Sequence, residues 1–191
     1  MQHKNDLRII KTNNNIRNTF VQLLNEKDFN SITVKDILDR ALINRSTFYK
    51  YYTDKYNLAE VITQVFLNKF RNFVDMLFIN ANDLKDLLNL KDEVLKELYS
   101  QKMTILGLWK VRTDKIHVYD DMHDIIKHNY VNLIANSDKD NHDIEYESYI
   151  CASTILATLR FILENQTTYT VQELSQRLEN FYNTFLKNNS L

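Results

Sequence analysis

The chain has 191 residues, enough to bury a full core in one or two domains. It contains one glycine and no proline. Compact β-proteins and enzymes with phosphate-cradling loops both need glycine at their turns, so the composition excludes those classes and indicates an all-α protein with short polar loops.

The formal net charge of −1 hides an asymmetry between the two ends of the chain. Residues 1–56 hold ten lysines and arginines against six aspartates and glutamates, whereas residues 57–191 hold fourteen against nineteen. A mildly basic N-terminal part on an acidic body is typical of a protein whose DNA binding is confined to its N-terminal part.

The sequence shows no sign of a membrane segment or of secretion. No apolar run approaches the roughly 20 residues that a membrane span needs, and the N-terminal MQHKNDLRIIK lacks the apolar core of a signal peptide. A single cysteine, Cys151, excludes an internal disulfide, and because no basic residue flanks it we expect a small buried packing residue. These features predict a cytoplasmic protein.

The first predicted elements are a loose arm and a helix. Residues 1–11 are interpreted as the arm, and the Asn-rich stretch Thr12–Asn15 as a helix cap region. Apolar residues then recur at helical spacing until the helix ends near Lys27. These apolar residues are Ile16, Phe20, Leu23 and Leu24.

Two short helices are predicted next. Thr33 is a good N-cap for the first, in which apolar residues recur at i, i+3, i+4 and i+7 over residues 34–41. Residues 42–44 break this pattern, and Asn44 can cap a second helix that begins at Arg45.

The second short helix has two different faces. Phe48 and Tyr52 lie four residues apart on its inner face, and its outer face is polar and begins with an arginine. Two short helices, a tight corner and such a face predict a helix-turn-helix whose second helix enters a groove of DNA.

The rest of the chain is predicted to form a helical body. A helix of about 25 residues, roughly 37 Å long, starts at Asp54 or Lys55 and can act as a lever between the N-terminal part and the body. A turn is expected at residues 80–83 and a loop at residues 135–143. Further helices are expected at about 84–98, 103–110, 118–134, 144–165 and 171–188.

The stretch TVKDILDRALINRSTFYKYYTDKYNL resembles the DNA-binding segment of TetR-family transcriptional regulators. Their pattern is a Thr-capped helix, a turn after an Ala, and a Thr-Phe-Tyr recognition helix that ends in an aromatic pair. A Lys follows at the start of a long helix. The family usually has Gly after the Ala of the turn, whereas this chain has Leu42, so the turn is expected to be slightly rebuilt or to carry a small cost in strain.

The resemblance, which covers about residues 10–60, implies an all-α, TetR-like fold of about nine helices. A three-helix DNA-binding head is expected at residues 1–54 and a helical body for effector binding and dimerisation at residues 55–191. Arg45, Ser46 and Lys50 lie on the outer face of the recognition helix, where arginine and lysine can bond a guanine edge. Phosphate contacts are expected from Thr33, Thr47, Tyr49, Tyr51 and Lys55.

TetR-like bodies usually enclose a cavity, so the resemblance implies that the aromatic and Met-rich middle of the chain lines one. Helical spacing alone does not distinguish a cavity lining from plain core. The candidate lining residues are Phe66, Phe70, Phe73, Met103, Trp109, Tyr119 and Met122.

Nothing in the sequence indicates catalysis, a cofactor or a metal. The chain has no nucleophile elbow, no Gly-rich phosphate loop and no zinc-hydrolase spacing. Histidines and aspartates between residues 114 and 128 include pairs with the spacing of metal ligands, but interleaved apolar residues favour a solvated helix surface. We predict no enzyme, no cofactor and no metal site.

The last two predicted helices carry broad apolar stripes, which we expect to pair with those of a second copy as a four-helix bundle. The stripes could instead be covered within one body, but that body already has four other helices to fill its interior. The interface candidates are Tyr149, Ser153, Ala157, Phe161, Leu174, Leu178 and Phe181.

The predicted function is that of an effector-responsive repressor, binding an inverted-repeat DNA operator as a homodimer; the repressor role is implied by the family alone. One alternative is control by a partner protein, because some family members that share the NRSTFY and DKY pattern, including regulators of dihydroxyacetone use, act by docking onto another protein. Another alternative is an enzyme or ligand carrier on a helical scaffold, in which Arg45→Ala would leave function intact.

Overall fold

A computed structural model of the protein describes residues 2–79, 92–135, 143–165, 167 and 169–187. Within these residues the fold is all-α, as predicted, with nine α-helices, one short 3-10 helix at Phe29–Ser31 and no strand. The helices are α1 (Gln2–Glu26), α2 (Val34–Ala41), α3 (Arg45–Tyr49), α4 (Lys55–Ile79), α5 (Asp92–Ser100), α6 (Lys102–Leu108), α7 (Val118–Ala135), α8 (Ile144–Asn165) and α9 (Val171–Lys187).

The predicted helices agree with these bounds to within a few residues, except at the N-terminus and in the helix predicted at 84–98, of which residues 84–91 lie outside the described residues. The loose arm predicted for residues 1–11 is wrong, since α1 is helical from Gln2 and runs through the Asn-rich stretch that was interpreted as a cap region. No glycine or proline interrupts this stretch, and the Thr12 hydroxyl donates to the carbonyl of Arg8 at 2.9 Å, within the helix. The turn predicted at residues 80–83 and most of the loop predicted at 135–143 lie outside the described residues.

The chain divides into two compact units, each built from two segments. The first unit comprises Met1–Phe70 and Met103–Met122, and the second comprises Arg71–Lys102 and His123–Leu191. The predicted division into a head at 1–54 and a body at 55–191 concerns function, and it stays a prediction.

The first unit packs α1 to α3 and the start of α4 around a core in which Ile16, Phe20 and Phe48 are fully buried. On α2, the apolar residues Ile37 and Ala41 are buried, whereas Val34 and Leu38 are only half-buried. Helix α6 belongs to the same unit and lies close against α1. A Cβ added at Gly107 would lie 2.9 Å from Asn25 Nδ2, a separation that packed atoms do not tolerate.

Polar contacts fasten α6 to the C-terminal end of α1. The amide of Asn25 donates both to the Val21 carbonyl within α1 and to the Met103 carbonyl of α6, each at 2.8 Å. After α6, the Lys110 ammonium donates to the carbonyls of Leu24 and Asn25 at 3.4 Å. The two Lys110 bonds satisfy carbonyl groups that the end of α1 leaves without intrahelical partners.

In the second unit, hydrogen bonds join α7 to α8 through Tyr130 and to the end of α4 through Asn129. The Tyr130 hydroxyl donates to a Glu147 carboxylate oxygen at 2.8 Å, and Asn129 Nδ2 donates to Asp75 at 2.9 Å. Helix α8 buries a stripe on one side, which consists of Ser148, Ala152, Leu156, Leu159, Ile162 and Leu163. In the part of the chain covered by the structure, no helix is long and apolar enough to cross a membrane.

Candidate nucleic-acid interface

Helix α2 begins with a complete capping box. Thr33 Oγ1 accepts a hydrogen bond from the Asp36 amide at 3.1 Å, and the Asp36 carboxylate accepts one from the Thr33 amide at 2.7 Å. Lys27 lies 2.8 Å from the same carboxylate. This ammonium, together with Thr33, holds the pKa of Asp36 well below its ordinary value. The Thr33 side chain, a predicted phosphate contact, is exposed but is already engaged in the cap.

The turn between α2 and α3 keeps the left-handed backbone that glycine normally supplies. Leu42 has φ 54° and ψ 47°, and its side chain is 90% exposed. Of the two outcomes expected for this turn, the structure shows the strained one, because a Cβ in this conformation crowds the backbone. The Ile43 amide donates to the Leu38 carbonyl at 3.2 Å, and Asn15 Nδ2 of α1 donates to the Ala41 carbonyl at 2.8 Å.

The inner face of α3 fixes the recognition helix to α1. Phe48 is fully buried, and the buried Tyr52 places its hydroxyl 3.1 Å from both Arg17 Nε, which donates to it, and Asn13 Oδ1, which accepts from it. The roles of Arg17, Asn13 and Asn15 were not predicted. Their partners lie 26 to 39 residues away, so local periodicity contains no signal for them.

The outer face of α3 presents the predicted base-reading residues to solvent. Arg45, Ser46 and Lys50 are all exposed. The Arg45 guanidinium lies over the Tyr49 ring at 5.3 Å, and the Lys50 ammonium lies 5.8 Å from the Tyr51 ring. These cation–π contacts hold both cations beside aromatic rings in the free protein, which limits the freedom each would lose on binding.

Two of the predicted phosphate contacts, Thr47 and Tyr51, are half-buried, whereas Tyr49 is exposed.

Lys55 differs from the other predicted phosphate contacts. Its ammonium donates three hydrogen bonds, of 2.8 to 3.0 Å, to carbonyls of the segment before α2. Burial lowers the pKa of this ammonium. All three of its N–H groups are used inside the protein, a geometry that does not agree with the predicted phosphate contact.

The arrangement as a whole has the chemistry of a DNA-reading surface. A buried aromatic face anchors a short helix, and the opposite face offers a guanidinium, an ammonium and hydroxyl groups. A guanidinium can donate two bonds to the edge of a guanine, and hydroxyl groups and lysines donate to phosphate oxygens. The described residues therefore combine a rigid support with exposed donors.

Comparison with known proteins identifies this segment. A family model described as "Bacterial regulatory proteins, tetR family" matches residues 16–62, which contain all of α2 and α3 and the first turns of α4. Residues 16–62 are therefore similar to the DNA-binding segment of TetR-family transcriptional regulators. TetR proteins are DNA-binding regulators, which are not a class of enzymes.

One relative is similar to part of this chain in sequence, and two solved structures share its fold. An HTH-type transcriptional regulator of Bacillus subtilis (strain 168), YxbF, is 35% identical over 60 residues, a match that covers 31% of this chain and 16% of that protein. A TetR transcriptional regulator from Streptococcus agalactiae 2603V shares the fold, with a TM-score of 0.61 and 22% identity over 93% of this chain and 96% of that chain. A gamma-butyrolactone receptor described as ArpA-like gives a TM-score of 0.60 at 16% identity, covering 84% of this chain and 100% of that chain.

The predicted cavity residues do not all belong to one compact unit. Phe73 is in the second unit and the other six candidates are in the first. Within the first unit, the Trp109 ring packs edge-on against Tyr119 at 5.5 Å, and Trp109 Nε1 donates to the Met122 sulfur at 3.3 Å. In α4, the rings of Phe66 and Phe70 stack at 6.1 Å. Met103 is 49% exposed, and Phe73 and Trp109 are half-buried.

Two features of the structure bear on ligand binding and were not predicted. The buried hydroxyl of Thr63 on α4, three residues before Phe66, has no hydrogen-bond partner among the residues that the structure describes. A buried hydroxyl in that state costs free energy, and a bound molecule with an acceptor could recover it. Separately, a surface cleft of about 300 Å³ is lined by Lys127, Asp143, Glu145, Tyr146 and Tyr149. Of the predicted site residues, only Tyr149, a dimer candidate, contributes to it.

Four of the seven predicted dimer residues are exposed on α8 and α9. Tyr149 is 56% exposed, Phe161 52% and Phe181 62%, and Ala157 is also exposed. The other candidates, Ser153, Leu174 and Leu178, are half-buried, and Ser153 shares a hydrogen bond of 3.1 Å with a ring nitrogen of His123.

Cys151, on α8, is half-buried instead of fully buried as expected. Burial raises the pKa of its thiol to about 11, so the thiol stays protonated at neutral pH. This is the chemistry of a packing residue.

Proposed function

We propose that this protein is a TetR-family, effector-responsive repressor that binds an inverted-repeat operator as a homodimer in the cytoplasm. One observation carries the proposal: α3 buries Phe48 and keeps Arg45, Ser46 and Lys50 exposed on its opposite face. A helix with this division of faces can enter a major groove without losing its packing.

The proposed contacts follow from the exposed donors. Arg45 reads a guanine edge through two hydrogen bonds, and Lys50 and Ser46 contact an adjacent base or phosphate. Tyr49, Tyr51 and Thr47 contact phosphates, which position the protein without reading the sequence. Thr33 contributes through the start of α2, whose capping box fixes that end of the helix.

Dimerisation is supported by the apolar side chains that α8 and α9 expose. Large exposed apolar residues on two neighbouring helices are the usual mark of a surface that is covered in the working protein. A two-fold dimer carries two recognition helices, so its operator is an inverted repeat with half-site centres roughly 34 Å or more apart.

The proposed effector is a small molecule bound by the aromatic and Met-rich residues of the chain. One protein with this fold is named as a gamma-butyrolactone receptor, which supports a small-molecule effector here. An effector that binds one arrangement of the dimer more tightly than the other changes operator affinity by that difference in binding free energy.

The DNA-binding proposal is tested by selecting sequences from random DNA with the purified protein and measuring affinity for the selected site. Arg45→Ala should weaken binding to that site by about 1–3 kcal/mol and relax the preference at one base position. Lys69→Ala removes an exposed positive charge of α4 away from α3 and serves as the matched control, with affinity close to wild type. Selection of no consensus sequence would contradict the proposal.

The effector proposal is tested separately, because a partner protein could control the same DNA-binding site. A small-molecule screen that raises the melting temperature and lowers operator affinity would support a ligand effector. Co-elution with a candidate partner protein, together with no response to small molecules, would support control by docking instead.

A further inference from the structure

The ammonium of Lys55 sits in a cage of backbone carbonyls. Lys55 Nζ donates to the carbonyls of Phe29 at 2.9 Å, Asn30 at 3.0 Å and Ile32 at 2.8 Å. Phe29 and Asn30 belong to the 3-10 helix, and Ile32 is the residue that follows its last turn. The end of a short helix leaves carbonyls without partners, and a cation is a strong donor to them.

Two aromatic rings complete this cage. The ammonium lies 4.8 Å from the centre of the Phe29 ring and 5.3 Å from that of Tyr56, and these two rings meet edge to face at 5.3 Å. Phe29 is buried and also contacts Phe20 of the core edge-on at 6.3 Å. The position of the ammonium is therefore set by packed groups as well as by hydrogen bonds.

The cage joins two ends of the DNA-binding site. Lys55 is the first residue of α4, and the carbonyls it binds immediately precede Thr33, the N-cap of α2. Any movement of the start of α4 relative to the start of α2 would have to break charge-assisted hydrogen bonds.

We infer that Lys55 is a positioning residue, which locks the start of α2 to the start of α4 and does not contact DNA phosphate. The inference rests on the proposed DNA-binding function. This positioning role requires a compact ammonium with three N–H groups, so a positive charge of another shape would not replace it.

The salt dependence of operator binding distinguishes this role from a phosphate contact. Losing one phosphate contact reduces the slope of log affinity against log salt by about 0.9, whereas losing a positioning contact leaves the slope unchanged. Affinity is measured for Lys55→Met and Lys55→Arg well below the melting temperature of each variant, with folding confirmed by circular dichroism. Lys50→Met, at an exposed lysine that is proposed to contact DNA, is the matched positive control for a reduced slope.

Both Lys55 variants should bind the operator about tenfold more weakly with the wild-type salt slope, because arginine keeps the charge but its planar group does not fit the cage. Wild-type affinity for Lys55→Arg together with a reduced slope for Lys55→Met would show a phosphate contact and overturn the inference. Wild-type affinity for both variants, with only their melting temperatures lowered, would also overturn it, since Lys55 would then be merely structural.

A direct measurement covers the case in which Lys55→Met does not fold. In wild-type protein bound to operator, the ¹⁵N signal of the Lys55 ammonium should show no scalar coupling to ³¹P, whereas such a coupling would refute the inference. Failure of wild-type protein to bind any DNA would contradict the proposed function, an outcome distinct from either result for Lys55.

Discussion

Leu42 is the single non-glycine residue with a positive φ in the described part of the chain. A residue with a Cβ in the left-handed region costs about 1–2 kcal/mol relative to the ordinary helical region. The surrounding contacts hold the conformation in place, because the adjacent Ala41 carbonyl is bound by Asn15 and the Ile43 amide by Leu38. The turn geometry of the helix-turn-helix is thus kept without the residue that usually permits it.

Leu42→Gly should therefore stabilise the protein. The relief of strain exceeds the extra chain entropy that glycine brings to the unfolded state, so the expected net gain is about 0.5–1 kcal/mol. Equilibrium unfolding in urea measures it. The control is Asp39→Gly, at an exposed position inside α2, which should lose about as much as glycine normally costs in a helix, roughly 1 kcal/mol. A Leu42→Gly protein that is less stable than wild type would contradict this expectation. It would show that the exposed Leu42 side chain stabilises the folded state.

Single residues also show how far the sequence predicts the site. The cap at Thr33 and the exposed position of Arg45 were predicted correctly, because caps and helix faces are local patterns that extend over three or four residues. Their contacts with DNA stay predictions. The carbonyl cage of Lys55 could not be predicted, since its three carbonyl partners lie 23 to 26 residues earlier. Tertiary contacts decide such roles, and one sequence does not contain them.

At the scale of elements, α2 depends on an ion pair and a capping box that share Asp36. The Lys27 ammonium and the Thr33 groups lower the pKa of this carboxyl from its ordinary value of 3.8. A lowered pKa in the folded state means that the stabilisation is fully present above the pKa of the unfolded chain. It is lost progressively as the pH falls from that value towards the lower pKa of the folded state, because the unfolded carboxyl gains its proton over this range while the folded one stays ionised.

Asp36→Asn should consequently flatten the acid side of the stability profile. Urea midpoints measured between about pH 7 and pH 3 should fall less steeply for this variant than for wild type, although the variant is less stable at neutral pH. Lys27→Met, which removes the main cause of the shift, should flatten the profile in the same direction. Parallel profiles for all three proteins would mean that Asp36 does not link folding to protonation.

Helices as elements were easier to predict than their ends. Apolar spacing placed α2, α3, α4, α6, α7, α8 and α9 correctly, because the apolar residues of each repeat with the helical period. The start of α1 was missed, since polar residues fill its first turns and Asn-rich segments usually cap helices. Asn13 instead accepts a hydrogen bond from Tyr52, and Asn15 donates one to the carbonyl of Ala41 at the end of α2. These tertiary contacts stabilise a helical conformation that local propensity does not favour.

At the scale of the whole molecule, the exposed faces of α8 and α9 determine the assembly that we propose. A substitution that places a charge among these apolar residues would bury it without a partner in a dimer, at a large cost in free energy. Ala157 is suited to this test, because it is exposed in the single chain and lies between Tyr149 and Phe161 on α8.

Ala157→Glu should yield a monomer that no longer binds the operator tightly although its N-terminal helices remain folded. Sedimentation at micromolar concentration measures the assembly, and circular dichroism checks the fold. Gln64→Glu introduces the same charge at an exposed position of α4 and should remain dimeric. A wild-type chain that sediments as a monomer at this concentration would rule out the dimer.

The interleaving of the two compact units sets the order in which the protein can take shape during translation. The first unit draws residues from both sides of Arg71–Lys102, so α1 to α3 leave the ribosome before α6 has been made. Until α6 has been made, the side of α1 that packs against Gly107 is exposed to solvent. The Leu24 and Asn25 carbonyls at the end of α1 also lack their hydrogen bonds from Lys110. A nascent chain that stalls within residues 71–102 therefore displays its helix-turn-helix on an unfinished core, and it is at this stage that chaperones and proteases meet it.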